Sequence, residues 1–316
     1  MLRCDMKNIA IIGSGICGLS TAYTLVEKGY TVTLYAKSFP PETTSNKAAA
    51  FWFPYHIEND LRCIRWSQTS YERYLSLLHN PATGISIKQL IKVTKASDAP
   101  ADYWKDFMPK GTCSPLEKAA FPDEFEEGYA IQVPLVETQI FLPWLMDSLK
   151  QKGVQLIQRE IRDFNELTEE YNWVINCTGL GARELCRDQS IYPIRGQVAL
   201  LAPQKEMAIF LYEEQPFYIV PRKDATIVGG TFEENVWDTN AEPATIQRLH
   251  QQALNLFPQL AAAPVQGSWA GLRPFRKVIR VEREAGKNII HNYGHGGSGY
   301  TLAWGCAEDI ANMLFT

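Results

Sequence analysis

The chain has 316 residues, a net charge of −4, 46% hydrophobic residues and 21% charged residues. This composition is typical of a globular protein with one large or two interleaved domains, and its mild acidity gives no reason to expect a nucleic acid or an anionic membrane as a partner. The sequence has no run of eighteen apolar residues, which argues against a transmembrane helix.

The cysteines and histidines narrow the class of protein further. The seven cysteines, at positions 4, 17, 63, 113, 177, 186 and 306, form no CxxC pair and are odd in number. We therefore expect reduced thiols in a cytoplasmic protein. The five histidines include no ligand spacing such as HExxH, so we predict no metal site. The start, MLRCDMKNIAIIG, contains no apolar core of signal-peptide length.

The first predicted unit is a strand, a glycine loop, a helix and a second strand. Lys7 to Ile12 forms a short apolar run, GSGICG follows, and an apolar-periodic segment from Cys17 to Lys28 ends at Gly29. The β-branched and aromatic segment 30–36 completes a unit of about thirty residues, the size of a parallel crossover. The spacing of the glycines at 13, 15 and 18 matches GxGxxG between strand and helix, which predicts a dinucleotide site.

The rest of the chain alternates between helical and β-rich patterns. Helices are predicted at 61–78, at 138–152 despite a proline at 143, at 244–257 and at the C-terminus. Strands are predicted at 154–158, 173–176, in a meander over 192–235, in KVIRVERE and in NIIHN. We predict an α/β fold with a discontinuous Rossmann-like cofactor domain (1–55, 138–185 and 272–316). A mostly antiparallel β-sheet substrate domain (56–137 and 186–271) would be inserted into it.

The glycine loop alone does not identify the dinucleotide. The fingerprint expects an acidic residue after the second strand, to accept hydrogen bonds from the adenosine ribose. This chain has Ala36, Lys37 and Ser38 there instead. A basic residue at this place is compatible with a phosphorylated ribose, so NADP stays open as an alternative.

A second glycine-rich loop, HGGSG at 295–299, favours a flavin. It precedes a helix whose first turn would contain Thr301. The free amides and the positive end of the helix dipole would suit the side of a flavin that gains negative charge on reduction. Glycines allow a flat ring to lie against the main chain, because no Cβ intervenes.

Motifs along the whole chain resemble the FAD-dependent D-amino-acid oxidase family, which includes D-aspartate oxidase. They are IIGSGICGLSTAY (11–23), VTLYA (32–36), TTSNKAAAFWFPY (43–55), VINCTGLGA (174–182), RGQV (195–198), YIVPR with the following GG (218–230), GLRPFRKVIRVERE (271–284) and IIHNYGHGGSGYTLAWGCA (289–307). The resemblance implies FAD bound non-covalently in an extended form. It also implies oxidation of the Cα–N bond of an amino acid, with dioxygen as the final acceptor and hydrogen peroxide as a product.

The resemblance also implies roles for individual residues. Arg280 would bind the substrate carboxylate together with the Tyr218 hydroxyl, and the Gly297 carbonyl would accept the substrate ammonium. In the family, a second active-site tyrosine lies on a mobile lid, four residues before the YIVP tyrosine. Glu214 occupies that position here, so Tyr212 would take the role if the lid loop is shortened. The residues expected to hold FAD are Gly13, Ser14, Gly15, Ile16, Cys17, Gly18, Ala36, Lys37, Ser38, Thr43, Thr44, Ser45, Ala49, Ala50, Phe51, Trp52, Ile161, Thr178, Gly179, Gly296, Gly297, Ser298, Gly299, Tyr300 and Thr301.

Hydride transfer needs a well-positioned substrate with a neutral amine, and it needs no protein nucleophile or base. His295 is therefore interpreted as a structural residue and not as a catalytic base. Phe53 replaces a family glutamine beside the flavin. Glu213 and Glu214 would favour a basic substrate side chain and oppose an acidic one if they point inward, so we expect a neutral or basic D-amino acid as the substrate. A D-aspartate oxidase would need a further arginine, for which Arg222 is the candidate. A glycine- or sarcosine-type amine oxidase, a dehydrogenase with another acceptor and a non-catalytic NADP-binding protein stay open. The oligomeric state is also open, with a homodimer as one option.

Overall fold

The computed structural model describes residues 8–58, 60–95 and 103–315. Residue 315 is described by its backbone only. The helices are α1 (Ile16–Glu27), α2 (Leu61–Leu77), α3 (Thr138–Gln151), α4 (Asn165–Thr168), α5 (Ala182–Leu185), α6 (Pro243–Leu256) and α7 (Gly299–Phe315). The strands are β1 (Asn8–Ile12), β2 (Thr31–Ala36), β3 (Ile85–Thr94), β4 (Cys113–Pro115), β5 (Glu127–Val136), β6 (Gln155–Gln158), β7 (Trp173–Asn176), β8 (Tyr192–Leu201), β9 (Ile209–Tyr212), β10 (Phe217–Pro221), β11 (Thr226–Gly229), β12 (Glu233–Glu234), β13 (Val265–Arg283) and β14 (Ile289–His295). The predicted start of the first strand at residue 7 lies outside the described residues.

The described strands form one continuous sheet, in the order β4-β5-β3-β9-β10-β11-β8-β13-β14-β7-β1-β2-β6, with β12 paired to β8. Neighbouring strands from β14 to β6 are parallel. From β9 through β10, β11, β8 and β13 to β14 the pairs are antiparallel, whereas β3 pairs with β9 in parallel. The predicted α/β fold with a large, mostly antiparallel sheet is confirmed.

The two chain ends meet in the parallel half of the sheet. β1 is apolar, and α1 starts directly after the first glycine loop. Helix α7 packs between α1 and α2. A Cβ on Gly305 would lie 2.2 Å from Trp66 Cα, so this glycine lets α7 and α2 approach through their backbones. Part of the glycine content near the C-terminus therefore serves helix packing.

The long strand β13 connects the antiparallel and parallel halves. It covers 19 residues and pairs with β8 along most of its length and with β14 near its end. The sequence analysis assigned only its last part to a strand, and it also missed β3 and β5. Because β13 crosses the predicted domain boundary between 271 and 272, the two domains would share one sheet; the division into domains stays a prediction. No described helix is both long and apolar enough to cross a membrane.

Candidate active site

A cavity of about 1020 Å³ begins at the carboxyl ends of β1, β2 and β7. This is where open α/β sheets bind their ligands, and the volume is at the upper end of the range for ligand cavities. Most of the predicted cofactor residues line it: Gly13, Ser14, Gly15, Ile16, Cys17, Ala36, Lys37, Ser38, Thr43, Thr44, Ser45, Ala49, Ala50, Phe51, Ile161, Thr178, Gly179, Gly296, Gly297, Gly299 and Tyr300. The sequence-predicted set is thus brought together from seven separate chain segments.

The first glycine loop is shaped by close backbone contacts. Gly13 has φ +112°, and a Cβ there would lie 2.3 Å from the carbonyl oxygen of Cys177. A Cβ on Gly18 would lie 1.9 Å from the carbonyl oxygen of Gly13. Gly18 does not line the cavity; it lets α1 pack on the loop and so directs the N-terminus of α1 at the cavity. Such an N-terminus is suited to a pyrophosphate.

Three further predicted residues stand behind the lining. Trp52 is 1% exposed, and its Nε1 donates to the carbonyl of Ser67 at 2.8 Å, so its ring is turned into the core. Ser298 Oγ donates to the carbonyl of Tyr55, and Thr301 Oγ1 to that of Phe53, both at 2.7 Å. For these three residues the geometry indicates support of the cavity wall instead of direct contact with a cofactor.

The second glycine loop joins the two ends of the chain across the cavity. Gly296 has φ +55°, and residues 296–298 form a 3₁₀ turn before α7 begins at Gly299. The Tyr300 hydroxyl donates to the carbonyl of Ser45 at 3.0 Å. Ser45 Oγ in turn accepts from the backbone N–H of Ile16, at 2.9 Å, at the start of α1. The cavity therefore has one helix N-terminus at its middle and a second glycine-rich turn at its far end, an arrangement that fits FAD.

The missing acidic residue after β2 is supplied by the neighbouring strand. β6 pairs with β2, and Glu160, just after β6, lines the cavity. Its Oε1 lies 3.0 Å from Lys37 Nζ. The ammonium of Lys37 is thereby paired with a carboxylate, which weakens the case for a phosphorylated ribose at this place. Glu160 could not be predicted from the sequence, because no local pattern connects it with β2.

At the far end of the cavity, two polar side chains lie beside Gly297. A Cβ on Gly297 would meet Tyr55 Cδ1 at 2.8 Å and Arg273 Cδ at 3.5 Å. Tyr218, which is 8% exposed, also lines the cavity. The Arg273 Nη1 donates to the carbonyl of Thr231 at 2.9 Å, and a Cβ on Gly196 would lie 2.3 Å from its Nη2. Gly196 thus makes room for the guanidinium.

Arg280, predicted to bind the carboxylate, does not line the cavity. Its Nε donates to Glu282 Oε1 at 2.8 Å and its Nη1 to the Tyr293 hydroxyl at 2.7 Å. The Tyr293 hydroxyl donates in turn to Asp188 at 2.8 Å. The position of Arg280 contradicts its predicted role, since its guanidinium is held in a network on the other side of Tyr293. Arg273, in the same motif, occupies the cavity instead.

Tyr212 also lies away from the cavity, so its position contradicts the predicted role of lid tyrosine. It is 2% exposed, and its ring centroid is 5.0 Å from that of Phe125 in a separate apolar cluster. Leu211, its neighbour in β9, does line the cavity. Since successive side chains of a strand point to opposite faces, Tyr212 faces the core.

Tyr55 offers a different hydroxyl near the cavity. Its ring lines the cavity, and its buried hydroxyl has no hydrogen-bond partner among the described residues. Burial raises the pKa of Tyr55, so the phenol stays protonated at neutral pH and is available as a donor. The sequence analysis noted Tyr55 only as part of a motif.

His295 is buried between two thiols. Its Nδ1 lies 3.5 Å from Cys17 Sγ and its Nε2 3.6 Å from Cys306 Sγ. Burial lowers the pKa of His295 to about 4, so the ring is neutral near pH 7. These contacts favour the structural interpretation.

Comparisons with known proteins agree with this geometry. A family model described as an FAD dependent oxidoreductase, DAO, matches residues 8–313. A D-amino-acid oxidase of Rubrobacter xylanophilus is 37% identical over 309 residues, which cover 96% of this chain and 94% of the relative. A D-amino-acid oxidase of Dictyostelium discoideum is 35% identical over 318 residues, with 97% and 91% coverage. A solved glycine oxidase structure from Geobacillus kaustophilus superposes with a TM-score of 0.84 over 98% of this chain and 94% of that one; at 18% identity this likeness concerns the fold.

Proposed function

The chain belongs to the DAO family of FAD-dependent oxidoreductases, and from this premise we propose that it oxidises D-amino acids with neutral or basic side chains. The D-amino acid, dioxygen and water would give a 2-oxo acid, ammonia and hydrogen peroxide. The observation that carries the proposal is that Arg273, beside Gly297, and Tyr218 line the same cavity as the residues predicted to hold the cofactor. The D-configuration rests on the two curated relatives.

FAD is the cofactor, and the residues that line the cavity are proposed to hold it. The backbone N–H groups at the start of α1, with Ser45 and Thr44, would bind the pyrophosphate. The turn at Gly296 and Gly297 would lie against the flavin ring. When bound there, FAD would supply the hydride acceptor for the oxidation at Cα, with dioxygen as the final electron acceptor.

Glu160 is proposed to accept hydrogen bonds from the adenosine ribose. Glu160→Gln should weaken FAD binding by about 5-fold, because the amide removes a charged acceptor while its shape stays the same. The measurement is a titration of apoprotein with FAD, followed by flavin fluorescence. Glu169→Gln is the matched control, since Glu169 lies outside the cavity lining. Equal dissociation constants for Glu160→Gln and the wild type would refute the assignment.

The carboxylate of the substrate is proposed to bind Arg273 and the Tyr218 hydroxyl. A guanidinium matches a carboxylate through two parallel N–H donors, which lysine cannot offer. Among the described residues Arg273 donates to a neutral carbonyl and to no carboxylate, so its charge is available to a ligand. The Tyr55 hydroxyl is proposed as a third donor, in the role first predicted for Tyr212.

The remaining residues would orient the amine and exclude water. The carbonyl of Gly297 would accept a hydrogen bond from the substrate nitrogen, as predicted from the resemblance. Phe51, Phe53 and Leu211 line the same end of the cavity and would keep the reacting Cα–H bond away from bulk water. No protein nucleophile is needed, because the imine product reacts with water by itself.

Hydrogen peroxide formation by purified protein with a panel of D- and L-amino acids tests this function. We expect activity with neutral or basic D-amino acids and a yellow preparation with flavin absorbance. Preferential oxidation of glycine or sarcosine, or of D-aspartate, would favour the two alternative oxidases. A yellow protein that reduces a dye but not dioxygen would be a dehydrogenase. Arg222 gives little support to D-aspartate, because it is 0% exposed and paired with Asp224.

The cellular setting is also a proposal. All six cysteines in the described part of the chain are free thiols, which supports a cytoplasmic location. The proposed partners are the amino-acid substrate and dioxygen; a homodimer stays an option.

A further inference from the structure

A buried charge cluster lies at the turn that follows β9. Glu213 is two residues after Leu211 and belongs to this turn, since β9 ends at Tyr212. Lys92 of β3 is paired with Leu211 of β9. Lys92 Nζ lies 3.0 Å from Glu214 Oε1 and 3.8 Å from Glu213 Oε2. Two carboxylates therefore share one fully buried ammonium.

Glu213 is the carboxylate that lies farther from the Lys92 ammonium. It is 5% exposed, and its Oε1 accepts a hydrogen bond from the Tyr103 hydroxyl. Its Oε2, like that of Glu214, has no hydrogen-bond partner among the described residues. Burial raises the pKa of this carboxyl. A buried carboxylate of this kind is stabilised by a further cation, because its remaining lone pairs and charge are uncompensated.

The cluster lies beside a second cavity of about 650 Å³, which is lined by Glu213, Glu214 and Tyr103 together with apolar groups such as Ile57 and Phe232; the cationic residues Arg62, Arg276 and Lys277 line it as well. The Tyr55 ring, which lines the first cavity, meets the His56 ring edge-on at a centroid separation of 4.3 Å, and the His56 ring is tilted against Phe232 at 4.9 Å. Both cavities are lined by His295. A buried carboxylate next to apolar side chains fits an aliphatic chain that carries a terminal cation.

The distance along the chain also fits a substrate side chain. Leu211 lines the first cavity, and the Cα atoms of Leu211 and Glu213, two residues apart, are separated by at most roughly 7 Å. The four-carbon stem of lysine with its ammonium is of this length. The stem would pass between Leu211 and the Tyr55 ring.

We propose that Glu213 is a specificity-determining residue that pairs with the cationic end of a basic D-amino-acid side chain. The proposal rests on the proposed function, since it takes the α-carboxylate to be held at Arg273. With such a substrate bound, two cations face two carboxylates, and the buried charge is balanced. Neutral substrates would bind without this compensation.

D-Lysine and D-norleucine provide the test, because their side chains have equal stems and differ in the terminal ammonium. We expect the wild type to show a kcat/KM for D-lysine at least about 10-fold above that for D-norleucine. Glu213→Gln should lower the value for D-lysine by about 10-fold or more and change that for D-norleucine by less than about 2-fold. Glu58→Gln, at an exposed position on the same cavity, is the matched control and should leave the ratio unchanged.

Binding of ligands that cannot be oxidised tests the role of Glu213 independently of the oxidase activity. Hexanoate and 6-aminohexanoate lack the α-amine and cannot be oxidised, so their dissociation constants for the wild-type holoenzyme are read from flavin absorbance changes without turnover. We expect tighter binding of 6-aminohexanoate. Loss of all oxidase activity with this preference retained would refute the proposed function but not the role of Glu213. Equal affinities, or a wild type that prefers D-norleucine, would overturn the role of Glu213 even in an active oxidase.

Discussion

Arg273→Leu should lower kcat/KM for every D-amino acid by about 10³-fold, while FAD stays bound. Removing one partner of a desolvated ion pair costs several kcal/mol, and about 4 kcal/mol corresponds to 10³-fold. The loss should appear mainly in KM, because the carboxylate is bound in the ground state as well as in the transition state. Steady-state kinetics and the flavin absorbance spectrum of the same preparation measure the two parts of the prediction.

Arg280→Leu is the informative control, because this arginine comes from the same motif. Arg280 does not line the cavity; its guanidinium contacts Glu282 and the hydroxyl of Tyr293. We expect a lower melting temperature with a KM within about 3-fold of the wild type, since the lost contacts are structural. If Arg280→Leu loses the activity and Arg273→Leu keeps it, the carboxylate site has been assigned to the wrong arginine.

The choice between these two arginines illustrates what the sequence could not provide. β13 carries arginines at 273, 276, 280 and 283, and strict alternation would decide which of them face the cavity. The register with β14 shifts between Phe275 and Arg280, so the alternation is interrupted. An irregularity of this kind depends on the partner strand and has no local signature here. Gly271 and Pro274 within the strand also obscured its length, because such residues usually interrupt strands.

The parts of the site that the sequence did predict are local. The first glycine loop, segment 43–51 and the turn before α7 each place several neighbouring residues on the cavity. Glycine spacing predicted the two glycine loops, and the family resemblance predicted segment 43–51. Glu160 and Tyr55 reach the cavity through tertiary contacts with β2 and with Gly297. Tyr212 and Leu211 are adjacent in sequence, but their side chains lie on opposite faces of β9. Local motifs thus identified the cofactor loops, whereas the substrate end required the folded chain.

Gly18→Ala should have the second large effect, on FAD retention and on stability together. The new Cβ would lie 1.9 Å from the carbonyl oxygen of Gly13, and no side-chain rotation relieves a contact between backbone and Cβ. Helix α1 must therefore move away from the loop, and the N–H groups at its start are displaced from the pyrophosphate. Hydrogen bonds to a charged group contribute about 1.5–3 kcal/mol each, so we expect FAD affinity to fall by about 100-fold. The melting temperature should fall by roughly 6–12 °C, from about 3 kcal/mol of strain.

Gly267→Ala provides the matched control for this substitution. A Cβ on Gly267 would have Leu200 Cδ1 as its nearest neighbour, at 3.7 Å, which is an ordinary contact. The same chemical change in β13 should therefore leave FAD affinity unaltered and shift the free energy of unfolding by less than about 0.5 kcal/mol. FAD titration and thermal unfolding of both variants give the comparison. A Gly18→Ala protein that binds FAD as tightly as Gly267→Ala would mean that the N-terminus of α1 does not hold the pyrophosphate.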